Sequence, residues 1–409
     1  MKTTLRKFPF PYRAALAISS DVDNTPSLEV YLAIMDYLNS TRQTPFGPGL
    51  GLEVGNSFWF FNATRSSQLT YFSDYGGTQT AFAPLCREFW QSGHVDTLHT
   101  YGNFDEGGFQ RRYAETAVGE LYKRDAQVPV WVNHGTPLNH QNLGPGNTCC
   151  GAIPDHPAYH IDLTRSAGCR YFWLGRMTHI LGQDAKKTLS VRTKNILQRI
   201  LKKTKYRSVT KDVLFDPGNR LLLPAALQDD SQVYEFQRWV NAWGEVKILN
   251  SREFGIQLRP SCLRTLIRNE GFLIVYTHFC ENLEIETGPT IMLRSNLSHL
   301  QHLYTEGQLL VTTVSRLLRF REVCAHLEYT IIPEGERTLI EIQDRLTTPV
   351  GMSDLNLNDL QGLTFYIEDT GGVQILFKGQ SILNITNARD HTGRRSVSIP
   401  WVPLEYPRS

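Results

Sequence analysis

The 409-residue sequence predicts an α/β protein in which parallel strands alternate with helices, followed by a small antiparallel β-sandwich. Three observations carry this expectation. Short apolar runs alternate with amphipathic helical stretches over roughly the first 320 residues, the pattern of a (β/α) barrel or an open parallel sheet. Those runs end in polar residues, and parallel strands bring their carboxyl ends to one rim where chemistry is kept. Near Val323 the pattern changes to short alternating segments divided by turn signals, as in an antiparallel sandwich. The expected division is therefore 1–322 and 323–409.

The first run, residues 14–20, is apolar enough for a buried parallel strand and leads into Asp21-Val22-Asp23-Asn24-Thr25-Pro26. Pro26 opens a helix with Leu28, Tyr31, Leu32, Met35 and Leu38 on one face. A second unit covers residues 51–61 and carries the aromatic cluster Phe58, Trp59, Phe60 and Phe61. A helix over 83–91 precedes Gly93-His94-Val95-Asp96-Thr97-Leu98-His99-Thr100-Tyr101-Gly102-Asn103, whose few apolar residues suit a short strand running into a loop. A helix over 109–123 and a strand over 128–134 follow, the strand closing on Asn133 and His134. The loop after it, 135–142, is long and polar.

Residues 166–174 read as a glycine-terminated helix end and then a strand. Residues 177–205 are basic and poorly patterned, and the basic stretch 186–205 is expected to be a solvated face. A strand pair turning at Pro217-Gly218 is expected over 209–224 and a helix over 231–239. Residues 271–278 form the last core strand, ending on His278, and helices are expected over 297–304 and 309–321. Beyond 323, strands are expected at 327–332, 338–344, 363–368, 373–378, 381–386 and 395–401.

Composition excludes several function classes. With 41% hydrophobic and 20% charged residues the chain can bury a substantial core, and a net charge of +2 argues against nucleic acid or an anionic membrane as partner. No run is long enough to span a bilayer, and the basic start meets Pro9 rather than an apolar stretch, so no signal peptide is expected. The seven cysteines contain no C-x-x-C pair, which removes zinc ribbons and thioredoxin-type centres. Free thiols in a reducing cytoplasm are the expectation. The sequence says nothing about oligomeric state.

The polar residues at predicted strand ends are Asp21, Asp23, His99, Asn133, His134 and His278. Two carboxylates with histidines across a pocket suit metal-assisted hydrolysis: carboxylate and imidazole hold a divalent ion, a second carboxylate takes a proton from water, and a histidine protonates the leaving group. Asp21 and Asp23 could instead cap the following helix, but one carboxylate suffices for a cap. His94 is expected to be structural. His140, His156 and His160 lie in a loop where hydrogen bonding is the ordinary role, and Phe58 to Phe61 fit a core, although Trp59 or His140 could touch a substrate.

These motifs resemble the polysaccharide deacetylase family, the carbohydrate esterases that share the NodB homology region. Asp21-Val22-Asp23 resembles the family's Asp-x-Asp motif, and Gly93-His94 with His99-Thr100-x-x-Asn103 resembles its Gly-His and His-Ser/Thr-x-x-His motif. The Gly-Cys-Arg-Tyr-Phe and Val-Tyr-Thr-His strands fall where the family has later strands, and the resemblance covers about residues 10–285. It implies a distorted (β/α) barrel and a divalent ion, commonly zinc, held by Asp23 and His99. It also implies Asp21 as base, His278 as acid, and removal of an N- or O-acetyl group from a sugar or glycan precursor. By family analogy the setting would be assembly of bacterial surface polysaccharide of O-antigen or capsule type.

Two departures stand out. Asn103 occupies the place of the second metal-binding histidine, and carboxamide is a poorer zinc ligand than imidazole. No arginine lies between Arg124 and Arg165, where the family keeps one to hold the catalytic aspartate. His134 is the candidate to replace either. Two other readings stay open: a catalytically silent glycan- or partner-binding protein, and a metal-independent glycoside hydrolase.

Overall fold

The computed structural model describes residues 4–64, 68–185, 193, 219–241, 250–335, 337–368 and 372–408. Its centre is a nine-stranded sheet built from β1 (Ala14–Ser20), β2 (Gly55–Phe58), β3 (Val95–Leu98), β4 (Val130–Val132), β5 (Tyr171–Trp173), β6 (Leu222–Ala226), β7 (Gln232–Phe236), β8 (Phe272–Thr277) and β9 (Leu309–Thr312). The order is β6-β7-β5-β4-β3-β2-β1-β8, and β9 pairs with the first half of β1. Every pairing is parallel except that of β6 with β7. No ladder closes the sheet among the described residues. The gap between β8 and the β5–β7 end is crossed by short pieces: Met177–Thr178 pairs with Arg238–Trp239, and Gln183 bridges Phe272. An α/β fold with a parallel sheet is thus present, without the closure that a barrel requires.

The strands are central because both faces are covered. All seven residues of β1 and all six of β8 are buried, and β4 and β5 are buried throughout. Strands covered on two sides read as continuous apolar runs, which is why they were legible in the sequence. Helix α1 (Leu28–Asn39) starts two residues after Pro26, with the Ser27 side chain accepting the Val30 N–H. It buries Tyr31, Met35 and Leu38 as expected, with Ile34 and Tyr37 added. Helix α2 (Phe82–Ser92) ends on Gly93 in the left-handed region, and α3 (Arg111–Lys123) and α4 (Ile161–Ser166) follow. Further helices are α5 (Ser251–Gln257), α6 (Pro260–Asn269), α7 (Ile291–Thr305) and α8 (Val314–His326).

Two predicted helices are corrected. Residues 231–239 are strand β7 and the short strand Arg238–Trp239, because Val233-Tyr234-Glu235-Phe236 buries on both faces and hydrophobic neighbours override a helical spacing. Residues 309–312 are β9, and the helix begins only at Val314. Of the strand pair expected over 209–224, residues 209–218 lie outside the described residues, as do 186–192 and 194–205 of the basic stretch.

Beyond α8 come β10 (Tyr329–Glu334), β11 (Arg337–Ile342), β12 (Thr364–Tyr366), β13 (Val373–Phe377), β14 (Gln380–Ile382), β15 (Ile385–Asn387) and β16 (Ser396–Ser398). They form two four-stranded sheets, β10-β11-β13-β14 and Thr4–Leu5 with β12-β16-β15. The predicted strand over 381–386 is two strands in different sheets, and Arg345–Thr348 with Gly351–Asp354 adds an unforeseen hairpin. The first strand of the chain pairs with β12 near its end, and α8 runs through residue 323. Val130, Phe272, Val323, Ile340 and Phe365 belong to one continuous core, so residue 323 does not separate two independent cores.

His94 bears out its structural reading. It is 1% exposed, bonded through Nδ1 to the Ser92 hydroxyl at 2.9 Å and packed against Tyr406. Burial, helped by the Arg316 charge, lowers its pKa from 6.5 to about 4. Below pH 6.5 the unfolded chain takes up a proton that the folded His94 refuses, so stability falls as pH drops from about 6.5 toward 4. A shift of that size amounts to about 3 kcal/mol. Denaturant unfolding across this range should show the decline, and His94→Gln should flatten it; an unchanged slope would contradict the assignment.

Candidate metal centre

Polar side chains collect at the carboxyl ends of the parallel strands. Asp21 directly follows β1, Trp59 follows β2, His99 follows β3 and His278 follows β8. His134 stands two residues beyond β4, and Arg238 two beyond β7. Sheet register brings the middle members together, since Leu98 is opposite Trp131 in the β3–β4 ladder. The chain must leave β3 abruptly to expose the His99 ring. Thr100 does this at φ 55°, its hydroxyl bonded to the Gly102 carbonyl at 2.9 Å. Gly102 has to be glycine because a Cβ there would lie 2.3 Å from the Phe61 carbonyl oxygen.

Asp23 is the hub, 8% exposed and facing three imidazoles. Its Oδ1 is 3.3 Å from His99 Nδ1, and its Oδ2 is 3.5 Å from His134 Nδ1 and 3.1 Å from His278 Nε2. His134 Nδ1 and His99 Nε2 are 3.2 Å apart. Burial alone would raise the Asp23 pKa, but His99, His134 and His278 together hold it well below the usual carboxylate range. The same balance acts on His134: burial lowers its pKa, and Asp23, Asp105 and Asp21 reverse the direction and raise it.

One donor atom each from Asp23, His99 and His134 lies within 4.8 Å of the others. Four ligands at the usual zinc bond lengths sit about 3.3 Å from one another. The 3.2–3.5 Å separations above are pairwise contacts that use both oxygens of Asp23 and both nitrogens of His99, so for one atom from each residue the spacing is bounded only by the 4.8 Å. Asp23 Oδ1 and His99 Nδ1 are also buried without an aligned hydrogen bond among the described residues. A carboxylate oxygen and an imidazole nitrogen left buried without an aligned partner fit a cation between them, while His134 Nδ1 and His99 Nε2 bond one another.

Asn103, expected as third ligand, is turned elsewhere: its Oδ1 accepts the Asp105 N–H at 3.2 Å. The imidazole beside Asp23 and His99 is His134, 35 residues after His99 yet adjacent through the β3–β4 register. A second carboxylate backs it, since Asp105 Oδ2 lies 3.4 Å from His134 Nε2. The other oxygen of Asp105 receives the Thr136 N–H at 3.2 Å and the Asn139 amide at 3.4 Å. Gly135, at φ 74°, leaves the space, because a Cβ there would fall 1.6 Å from Asp105 Oδ1. A carboxylate on the remote nitrogen keeps the proton there and frees Nδ1 for a ligand role. Burial would raise the Asp105 pKa, but His134, Thr136 and Asn139 hold it low.

An arginine does lie against Asp21, and it comes from residue 238. Arg238 Nη1 is 3.3 Å from Asp21 Oδ2, both side chains being buried. The guanidinium lies over the rings of Trp173 at 4.8 Å and Tyr276 at 4.6 Å, and stacking helps offset its desolvation. Misreading residues 231–239 as a helix hid it. An alternating Val-Tyr-x-Phe strand followed by a basic residue was the available signal.

Three other expectations are revised. Trp59 is wholly buried, its N–H on the His99 carbonyl and its ring against His99 and His134, so it supports the histidines rather than a substrate. Asn133 staples the loop, donating to Leu143 O and accepting from Trp131 and Leu143. His140 sits in the 135–160 loop beside Cys150 and His156. No described helix is long and apolar enough to cross a membrane. No family model matches the chain, and no match is found among curated proteins.

Zinc titration of the chelator-stripped protein at one fixed pH checks the ligand set. Asp105→Asn should weaken binding by about 10–100-fold, the usual effect of losing an outer carboxylate. Asn103→His should not tighten it, because His134 already holds the third place; a marked gain would show that the third ligand is misassigned.

Proposed function

We propose that the chain is a metal-dependent hydrolase that removes an acetyl or related acyl group from nitrogen or oxygen of a sugar. The observation that carries this reading is the pairing of two unlike carboxylates. Asp23 faces the histidines, whereas Asp21 faces Arg238 and keeps Oδ1 without a hydrogen bond among the described residues. One carboxylate is committed to a cation and the other is free to accept a proton. A glycoside hydrolase would need neither the imidazoles nor that division of labour.

A divalent ion held by Asp23, His99 and His134, most simply zinc, supplies Lewis acidity that polarises an acyl carbonyl and makes water easier to deprotonate. The residues do the rest. Asp21 takes a proton from water as the water oxygen bonds the acyl carbon, and Arg238, 3.3 Å from Asp21 Oδ2, keeps the carboxylate aimed. His278 gives a proton to the departing nitrogen or oxygen as its bond to the acyl carbon breaks. The products are a carboxylic acid and a free amine or hydroxyl on the sugar. His134 and Asp105 have the more exposed side chains, 15% and 25%, so approach from the loop side is favoured.

Acetate release from N- and O-acetylated sugars tests the reading. Asp21→Asn should retain metal yet lose about 10²–10⁴-fold in turnover, the worth of a positioned base. A variant as active as the parent would remove Asp21 from the chemistry. A metal-loaded parent that binds such sugars without releasing acetate would favour the silent binding protein.

A further inference from the structure

The loop from residue 133 to 160 has no regular strand or helix, which is long for an ordered connection in a compact fold. Its middle folds back on itself: Cys150 N–H donates to the His140 carbonyl at 3.0 Å, and Gly151 N–H to the Asn142 carbonyl at 3.1 Å. At this closure His140, Cys150 and His156 converge, one donor atom from each lying within 4.8 Å of the others. Cys150 is 6% exposed, and its Sγ has only a long contact, 4.0 Å, to the Asn147 carbonyl. The His140 ring makes no hydrogen bond among the described residues; it meets the His156 ring edge-on, centroids 5.8 Å apart.

We propose that His140, Cys150 and His156 form a second cation site, selective for a thiophilic divalent ion of the zinc class, which staples the loop carrying His134. One thiolate and two imidazoles are a soft donor set, unlike the carboxylate and imidazoles around Asp23. Zinc–sulfur and zinc–nitrogen bond lengths place such donors about 3.6 Å apart, within the 4.8 Å inside which these three atoms lie. Loading also deprotonates Cys150, whose thiol is held above its ordinary pKa by burial. His156 Nδ1 accepts the Ala158 N–H at 3.0 Å, which places the ring proton on Nε2. The ion must compete with that bond, so this site fills after the Asp23 centre. Closing a loop of this length with a cross-link restricts the unfolded chain and holds His134 in place.

Cobalt(II) titration of the stripped full-length protein separates the two centres, because only a thiolate gives an intense near-ultraviolet charge-transfer band on cobalt. The parent should develop that band after the first equivalent. Cys150→Ser should abolish it, and His140→Gln, at a half-buried position free of hydrogen bonds, should move its half-saturation to higher cobalt. Cys149→Ser and Asp23→Ala should both retain it, the latter showing that the site does not depend on the Asp23 centre. Near-ultraviolet circular dichroism of each stripped variant confirms its fold. No band in the parent, or a band that survives Cys150→Ser, would overturn the proposal.

Discussion

The arrangement depends on one buried carboxylate, Asp23, that faces three imidazoles. Desolvation opposes a charge there, so the Asp23 anion persists only because positive charge stands against it. That charge can be protons on the rings or a metal ion among them. The spacing and the unaligned donors favour the ion, and the neighbouring groups then fall into place. Trp59 backs His99 and His134, Asp105 fixes the far side of His134, and Arg238 keeps Asp21 apart from the cluster.

Parallel topology explains how His134 comes to stand beside Asp23 and His99. Consecutive strands deliver their ends to one rim, so a donor leaving β3 can be replaced by one leaving β4 with little movement in space. In the proposed site His134 takes the place at which Asn103 was expected, and Asn103 Oδ1 instead accepts the Asp105 N–H, with Asp105 Oδ2 3.4 Å from His134 Nε2. The relocation is coupled to the loop: Gly135 must lack a side chain for Asp105 to reach the ring. A long irregular loop that delivers a metal ligand needs anchoring, which Asn133, Gln141 and His160 provide by hydrogen bonds.

Much of the sheet was legible because strands buried on both faces are apolar throughout, as in β1 and β8, and the residues closing them are few and polar. Asp21, Asp23, His99, His134 and His278 could be read in this way as polar residues at or just beyond strand ends. What was not legible depends on partners distant in sequence. Arg238 was hidden because strand β7 carries a helical spacing of apolar residues, and only its place beside β5 makes it a strand. Residues 309–312 look like the first turn of α8 until β1 is there to pair with them. Thr4–Leu5 belongs to a sheet whose other members lie beyond residue 360. Asp105 carried no motif at all; its role follows from a glycine thirty residues later and a ring one residue before it.

The central claim is that Asp23, His99 and His134 share one divalent ion. A crystal of the zinc-loaded protein, with anomalous diffraction recorded on both sides of the zinc edge, tests it most directly. The account predicts an anomalous peak within bonding distance of Asp23 and of one nitrogen on each of His99 and His134, with Asp105 on the far nitrogen of His134. A zinc-loaded crystal with no peak there, and the three histidines paired to Asp23 by hydrogen bonds alone, would contradict it.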